Sequence, residues 1–401
     1  MGLNETVSAQ RLHIGFFGMR NAGKSSLVNA VTGQELSVVS AVKGTTTDPV
    51  QKAMELLPLG PVVILDTPGL DDEDELGLLR VKKARQALAK TDIAVLVVDA
   101  AAGMSEQDKA LQKELEERKL PYILVYNKAD LLQNEEKTEE NALYVSAATG
   151  YGVEALKEKL GAFAKAAKKE NYIVADLLQP EDLVVLVTPI DESAPKGRLI
   201  LPQQLTLREI LDVNCSAVVC QDTELAGVLA GLSRKPKMVI TDSQVFGKVS
   251  KMVPDDVPLT SFSILMARYK GGLQSLVEGA AVLKSLKDGD KVLISEGCTH
   301  HRQCKDIGTV KLPGWIEAFS GAKPDYTFTS GGEFPEDLSP FRVIVHCGGC
   351  MLNEAEMKSR TQRAKGQSIP MVNYGIAIAA IHGILPRALE LFPDVKALFR
   401  I

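Results

Sequence analysis

Aromatic residues make up only 5% of this 401-residue chain, and Trp315 is its single tryptophan. That scarcity removes the stacking platforms on which single-stranded nucleic-acid binders rely. Strips of one charge are missing too. The net charge is −5 and the only tight basic run is Arg234-Lys235-Pro236-Lys237, so there is no electrostatic footprint for DNA or RNA. No apolar stretch approaches the ~20 residues of a membrane span, and the N-terminus lacks the basic-then-apolar order of a signal peptide. The expectation is a cytoplasmic protein with neither nucleic acid nor membrane as partner. Met1 to Thr6 fits the N-myristoylation pattern, one short enough to arise by chance. The six cysteines, at 215, 220, 298, 304, 347 and 350, read as thiols or metal ligands and not as a disulfide framework.

What is present is an ordinary globular composition, 45% hydrophobic and 24% charged, in a chain long enough for two or three domains. The apolar strand His13 to Phe17 runs into Gly18-Met19-Arg20-Asn21-Ala22-Gly23-Lys24-Ser25, after which Ser26 to Val31 has helical spacing. This is GxxxxGK[ST] in its strand–loop–helix context. Backbone N–H groups of Gly18, Asn21, Ala22, Gly23 and Ser26 can wrap a phosphate chain at a helix N-terminus, Lys24 reaches the β and γ phosphates, and the Ser25 hydroxyl can ligate Mg²⁺.

Further elements follow in the order a GTPase needs. Strand Val62 to Leu65 ends in Asp66-Thr67-Pro68-Gly69, where Asp66 can hold the Mg²⁺ shell and the Gly69 N–H can sense the γ phosphate. Strand Tyr122 to Tyr126 ends in Asn127-Lys128-Ala129-Asp130. The acceptor-only carboxylate of Asp130 can take both N1–H and N2–H of guanine, a pair adenine lacks. Tyr144-Val145-Ser146-Ala147 supplies a backbone N–H at Ala147 for guanine O6. GTP or GDP is therefore the expected ligand.

Residues 10 to 165 resemble the TrmE-Era-like branch of the translation-factor GTPases. Gly44-Thr45-Thr46-Thr47-Asp48 looks like that branch's switch segment, which implies Thr46 as the sensor of Mg²⁺ and the γ phosphate. Thr47 stands where the branch carries arginine, so no role passes to it. Asn21 matches the asparagine that helps bind K⁺ in potassium-stimulated relatives, although an asparagine there also caps a loop. Leu70 follows Gly69 where a glutamine would orient the attacking water, and no arginine finger is identifiable, so slow intrinsic hydrolysis is expected. The acidic run Asp71 to Glu75 reads as the first turn of a switch helix.

Helical, lysine-rich sequence from Val153 to Lys169 closes the first domain, taken as 1–169, and Glu170 to Gln179 reads as a link. A second α/β unit, 180–262, has strands at Leu183 to Val187, Ala217 to Val219 and Met238 to Ile240 and a helix around Thr206 to Asp212. It carries no catalytic constellation, which leaves packing against another domain or another copy as its job. Cys215 and Cys220 flank a short strand and read as core. The third unit, 263–401, places Gly297-Cys298-Thr299-His300-His301 after strand Lys291 to Ile294, and His346-Cys347-Gly348-Gly349-Cys350 after strand Phe341 to Val345. Ligands at adjacent strand ends can converge. Chemistry alone leaves Cys298, Cys347 and Cys350 open between zinc, with His300 or His346 as fourth ligand, and a 4Fe-4S cluster with one exchangeable position. A redox pair fits worse, because Cys298 would be unused.

A GTPase domain joined to C-x-H and, after 45 intervening residues, to H-C-x-x-C resembles HydF, the maturation GTPase and scaffold of iron-only hydrogenases, along the whole chain. The resemblance includes Asp306-Ile307-Gly308. It implies a P-loop GTPase domain followed by two smaller α/β domains, the first a dimerisation domain. It also implies a 4Fe-4S cluster on Cys298, Cys347 and Cys350, with a fourth position open to His300, His346, Glu296, Asp306 or an exogenous group. Cys304 is outside the motif, and His301 is assigned to the surroundings. The implied role is to carry a di-iron precursor to apo-FeFe-hydrogenase in concert with the radical-SAM maturases. The rival is a zinc-containing RNA-modification or ribosome-assembly GTPase.

Overall fold

The computed structural model describes residues 11–34, 50–68, 83–132, 142–167, 171–190, 199–297, 307–349 and 352–399. Met1 to Thr6, Thr46, Thr47, Gly69, Leu70, Asp71 to Glu75, Cys298, His300, His301, Cys304, Asp306 and Cys350 lie outside the described residues. The chain divides into two units. One comprises Met1–Lys169 with Asn353–Ser359, the other Glu170–Leu352 with Arg360–Ile401.

The N-terminal unit is built on β1 (Leu12–Phe17), β2 (Val50–Leu56), β3 (Gly60–Asp66), β4 (Ile93–Asp99), β5 (Tyr122–Asn127) and β6 (Ala142–Tyr144). They lie in the order β2-β3-β1-β4-β5-β6, parallel throughout except for β2, which runs antiparallel to β3. β1, β3, β4 and β5 are near-continuous apolar runs because both faces of the sheet are covered. Ile14, Val62, Val95 and Val125 pack on one side with Leu27 and Val31 of helix Lys24–Thr32 and Leu156 and Leu160 of helix Val153–Ala167. Phe17, Leu96 and Leu124 face Leu111 and Leu115 of helix Glu106–Glu117. The described nucleotide motifs, after β1, β3, β5 and β6, leave this sheet at its carboxyl edge, where loops of an open α/β sheet meet a ligand.

The second unit holds two all-parallel sheets. In the first, β7 (Leu183–Val187), β8 (Ser216–Cys220), β9 (Met238–Thr241) and β10 (Leu259–Ser261) are ordered β10-β9-β7-β8. In the second, β11 (Lys291–Glu296), β12 (Asp325–Ser330), β13 (Val343–His346) and β14 (Met371–Asn373) are ordered β12-β11-β13-β14. Helix Leu273–Val282 lies against β14 so closely that a Cβ on Gly279 would sit 2.1 Å from the Met371 carbonyl oxygen.

Two expectations change. The helix read around Thr206 spans Leu201–Asp212, starting earlier because Pro202 suits a first turn, where its missing N–H has no intrahelical partner to lose. Within the segment Glu170 to Gln179, read as a link, Ile173 to Ala175 are instead buried. Ile173 and Val174 are buried with Val184, Leu186 and Ile240, and the Glu209 carboxylate accepts hydrogen bonds from the N–H groups of Ile173, Val174 and Ala175 at 2.8, 2.9 and 2.8 Å. Cys215 and Cys220 are buried as the sequence suggests. The Cys215 thiol donates to the Gln179 carbonyl at 2.9 Å.

Candidate functional site

The loop from β1 to helix Lys24–Thr32 depends on two glycines. At Gly18 (φ +140°) a Cβ would meet the Val97 carbonyl oxygen at 2.1 Å, and at Gly23 (φ +85°) it would meet Asn127 Nδ2 at 2.3 Å. Lys24 is buried and donates to the carbonyls of Gly18 and Met19 at 3.0 and 2.7 Å. Its ammonium is thereby folded over its own loop, while the first-turn amides of the helix, Ser25 and Ser26 among them, face the anion site such a terminus provides. Asn21, exposed at φ +63°, occupies a left-handed position that asparagine tolerates.

At the end of β3, the Ser25 hydroxyl donates to Asp66 Oδ2 at 2.6 Å. Asp66 is buried, and its Oδ1 has no hydrogen-bond partner among the described residues. A hydroxyl and a carboxylate with an unsatisfied oxygen form a hard-oxygen donor set that fits Mg²⁺. Thr67 is fixed by donating to the Phe16 carbonyl at 2.6 Å.

Asn127 ties this loop to the base-binding side. Its Nδ2 donates to the Ala22 carbonyl at 2.9 Å, and its Oδ1 accepts from Ala147 N at 3.1 Å. The Ala147 amide, expected to face guanine O6, is therefore directed at Asn127, because that side chain stands between the two loops. Ser146 is buried, with its N–H donating to the Tyr151 carbonyl and its hydroxyl accepting from Thr149 N. Asp130 is exposed on a short turn at Ala129–Leu131. Lys128, at φ +63°, pairs with Asp99 Oδ2 at 2.6 Å. Burial works to raise the Asp99 carboxyl, yet hydrogen bonds from Lys128 and the Ala101 amide outweigh it and hold the group below the usual carboxylate range. Asp99 escaped the sequence reading, although an acidic residue closing the apolar strand β4 at the same edge was its signal.

In the second unit β11 and β13 are neighbours, with Ser295 opposite His346. Gly297, at the end of β11, and Cys347, at the end of β13, therefore lie beside each other. The Cys347 amide donates to the Ser295 carbonyl at 2.9 Å, and Cys347 Sγ accepts from Gly297 N at 3.0 Å and from Gly349 N at 3.4 Å. A sulfur ringed by backbone amides suits a thiolate, and amide hydrogen bonds to sulfur are a common feature around thiolate-bound clusters. Gly297, the residue before Cys298, packs on Leu352 so tightly that a Cβ would sit 2.6 Å from its methyl carbon. The donor chemistry placed here thus fits a thiolate-bound group.

Three partners of this loop carried no sequence signal. Lys270 donates to the Gly349 carbonyl. Tyr374 reaches the buried Glu296 carboxylate at 3.3 Å, and a Cβ on Gly308 would meet both of them, at 2.3 and 2.5 Å. A side chain at that position of the Asp306-Ile307-Gly308 motif would displace Tyr374 or Glu296. Arg360, buried, donates to His346 Nε2 at 3.0 Å, while His346 Nδ1 lies 2.6 Å from the Cys347 carbonyl.

Comparison with known families follows the same division. The 50S ribosome-binding GTPase domain matches residues 13–128, the hydrogen maturase F dimerization domain residues 173–271, and the hydrogen maturase F tetramerization domain residues 274–391. The last two together take in more than half of the chain. This chain belongs to the hydrogen maturase F family. That family's dimerization domain begins at residue 173, where the packed Ile173–Ala175 segment joins the β7 sheet.

Sequence relatives that are GTPases match part of the chain. GTPase Der of Kosmotoga olearia is 32% identical over 220 residues, covering 49% of each chain. The tRNA modification GTPase MnmE of Dechloromonas aromatica is 32% identical over 169 residues, 41% of this chain and 37% of that protein. The chain spans about half the length of these curated relatives, or less. Among solved structures, Era of Aquifex aeolicus bound to GDP and aluminium fluoride aligns with 79% of this chain and 93% of its own, at 16% identity and a TM-score of 0.35.

Proposed function

We propose that this hydrogen maturase F family protein binds and slowly hydrolyses GTP, holds a 4Fe-4S cluster on Cys298, Cys347 and Cys350, and hands a di-iron precursor to apo-FeFe-hydrogenase, working with the radical-SAM maturases. In the N-terminal unit, Lys24, Ser25 and Asp66 attend to the phosphates and Mg²⁺, Asn127 and Asp130 to the base, and Thr46 and Gly69 to the γ phosphate, with Asn21 a site for K⁺. The observation that carries the scaffold reading is the adjacency of β11 and β13, with Gly297 N 3.0 Å from Cys347 Sγ, which supports a common site for the Cys298 and Cys347-x-x-Cys350 motifs. Bound there, the cluster would supply an iron with an exchangeable coordination position.

The chain's own part is positional. Amides of Gly297 and Gly349 orient the Cys347 sulfur, and ordering of the γ-phosphate sensors biases which partner the protein holds. A homodimer through the middle domain completes the assembly. Anaerobic purification followed by iron, acid-labile sulfide and zinc analysis tests the reading. About four irons and four sulfides per fully loaded chain are expected, whereas stoichiometric zinc without iron supports the RNA-modification or ribosome-assembly alternative. Independently, loss of maturase binding on exchange of GTP for GDP, or in Lys24→Ala, is expected; indifference to both removes the coupling.

A further inference from the structure

Both ring nitrogens of His346 have partners. The ring ends β13 and is fully buried. Nδ1 lies 2.6 Å from the carbonyl oxygen of Cys347, a group that only accepts, so Nδ1 carries the hydrogen. Nε2 lies 3.0 Å from Arg360 Nη1, a group that only donates, so Nε2 is the bare acceptor. One tautomer satisfies both contacts. Arg360 is itself held in place, because it is 3% exposed, its Nη2 donates to the Gly331 carbonyl at 2.7 Å, and its guanidinium lies over the Phe334 ring at 5.2 Å. Phe334 also packs against the His346 ring, 6.3 Å between centroids.

We propose that His346 is a positioning residue and not a cluster ligand, and that Arg360 is the group that assigns it this role. Ligation through Nε2 would require eviction of a buried guanidinium. Ligation through Nδ1 would require that nitrogen to lose both its hydrogen and the Cys347 carbonyl. In the arrangement present, Arg360 fixes the tautomer, the tautomer fixes the Cys347 carbonyl, and that carbonyl sets the direction in which the chain turns into Gly348 and Gly349. Lys270, donating to the Gly349 carbonyl, holds the same turn from the other end. The inference rests on the cluster reading above for its consequence, but the tautomer it predicts requires no metal.

The test has a metal-free and a metal-loaded arm. In the metal-free chain labelled with ¹⁵N-histidine, the resonance that disappears in His346→Gln is expected to report an Nδ1–H, bare-Nε2 ring; an Nε2–H ring overturns the proposal. In cluster-loaded protein, His346→Gln and Arg360→Lys are expected to speed loss of iron to a chelator about tenfold, the scale on which groups behind a metal's ligands act. The electron spin-echo spectrum of the reduced cluster should stay that of the wild type. A nitrogen coupling present in the wild type and absent from His346→Gln would make His346 a ligand and end the proposal. Wild-type protein that takes up no iron or sulfide instead removes the cluster reading, and the tautomer result stands apart from it.

Discussion

Alanine at position 23 places a methyl where the structure has none to spare. Gly23 sits at φ +85°, and its Cβ would lie 2.3 Å from Asn127 Nδ2. The left-handed backbone alone costs an L-residue about 1–2 kcal/mol. Relief of the clash pushes Asn127 off the Ala22 carbonyl, now 2.9 Å away, for about 1 kcal/mol more. If the nucleotide must re-form the loop, the combined cost of about 2–3 kcal/mol falls on affinity, a loss of roughly 30- to 150-fold at about 1.4 kcal/mol per tenfold. Titration with a fluorescent GDP analogue reads this directly. Gly33→Ala is the control, because Gly33 shares the left-handed backbone (φ +64°) but has nothing within 4 Å of its Cβ site. That variant should lose only stability and bind GDP within about two-fold of the wild type. Equal GDP affinity in the two variants would refute the claim that the contact between Gly23 and Asn127 shapes the nucleotide site.

Other perturbations test other parts of the account. Burial pushes the Asp92 carboxyl up to about 6, with Glu354 adding to it and the His13 amide opposing. A raised carboxyl binds its proton more tightly in the folded state, so its stabilising contribution is complete below the unfolded value near 4 and is lost as pH rises through 6. Asp92→Asn should therefore gain thermal stability relative to the wild type between pH 5 and 7.5, by about 2 kcal/mol at most given partial exposure; a constant difference across that range contradicts the assignment. Glu209→Ala leaves three amides without their acceptor and should cost the second unit about 3 kcal/mol in urea unfolding, with Glu209→Gln losing about half of that. A loss below about 1 kcal/mol would show that the 173–175 segment is held by its apolar contacts alone. Replacing Cys215 and Cys220 together by alanine should lower the melting temperature and leave the iron content unchanged, since both thiols lie in the core around the β7 sheet.

The nucleotide half of the fold was legible because each of its motifs is local. An apolar strand, a loop of required residue types and a helix follow one another within twenty residues, and the strand order needed only to bring their ends to one edge. The two edge strands of the last sheet were not legible. β12 reads Asp-Tyr-Thr-Phe-Thr-Ser and is largely exposed, so no apolar run announces it, and β14 is three residues long. Long-range polar contacts were equally silent. Nothing near Ile173 points to Glu209, and nothing in the His-Cys-Gly-Gly-Cys stretch points to an arginine fourteen residues later on helix Glu354–Gly366. Adjacent strand ends for the two cysteine motifs were foreseeable as a possibility of parallel strands, whereas the pairing of β11 with β13 depends on the whole sheet.

The central claim is a thiolate-bound cluster with one iron left to an exchangeable ligand. Electron paramagnetic resonance of the anaerobically reduced protein, with and without added cyanide, tests it most directly. The account predicts a 4Fe-4S signal that shifts when cyanide is added and is lost in Cys347→Ser. A signal indifferent to cyanide and retained in Cys347→Ser, or zinc with no signal at all, would contradict it.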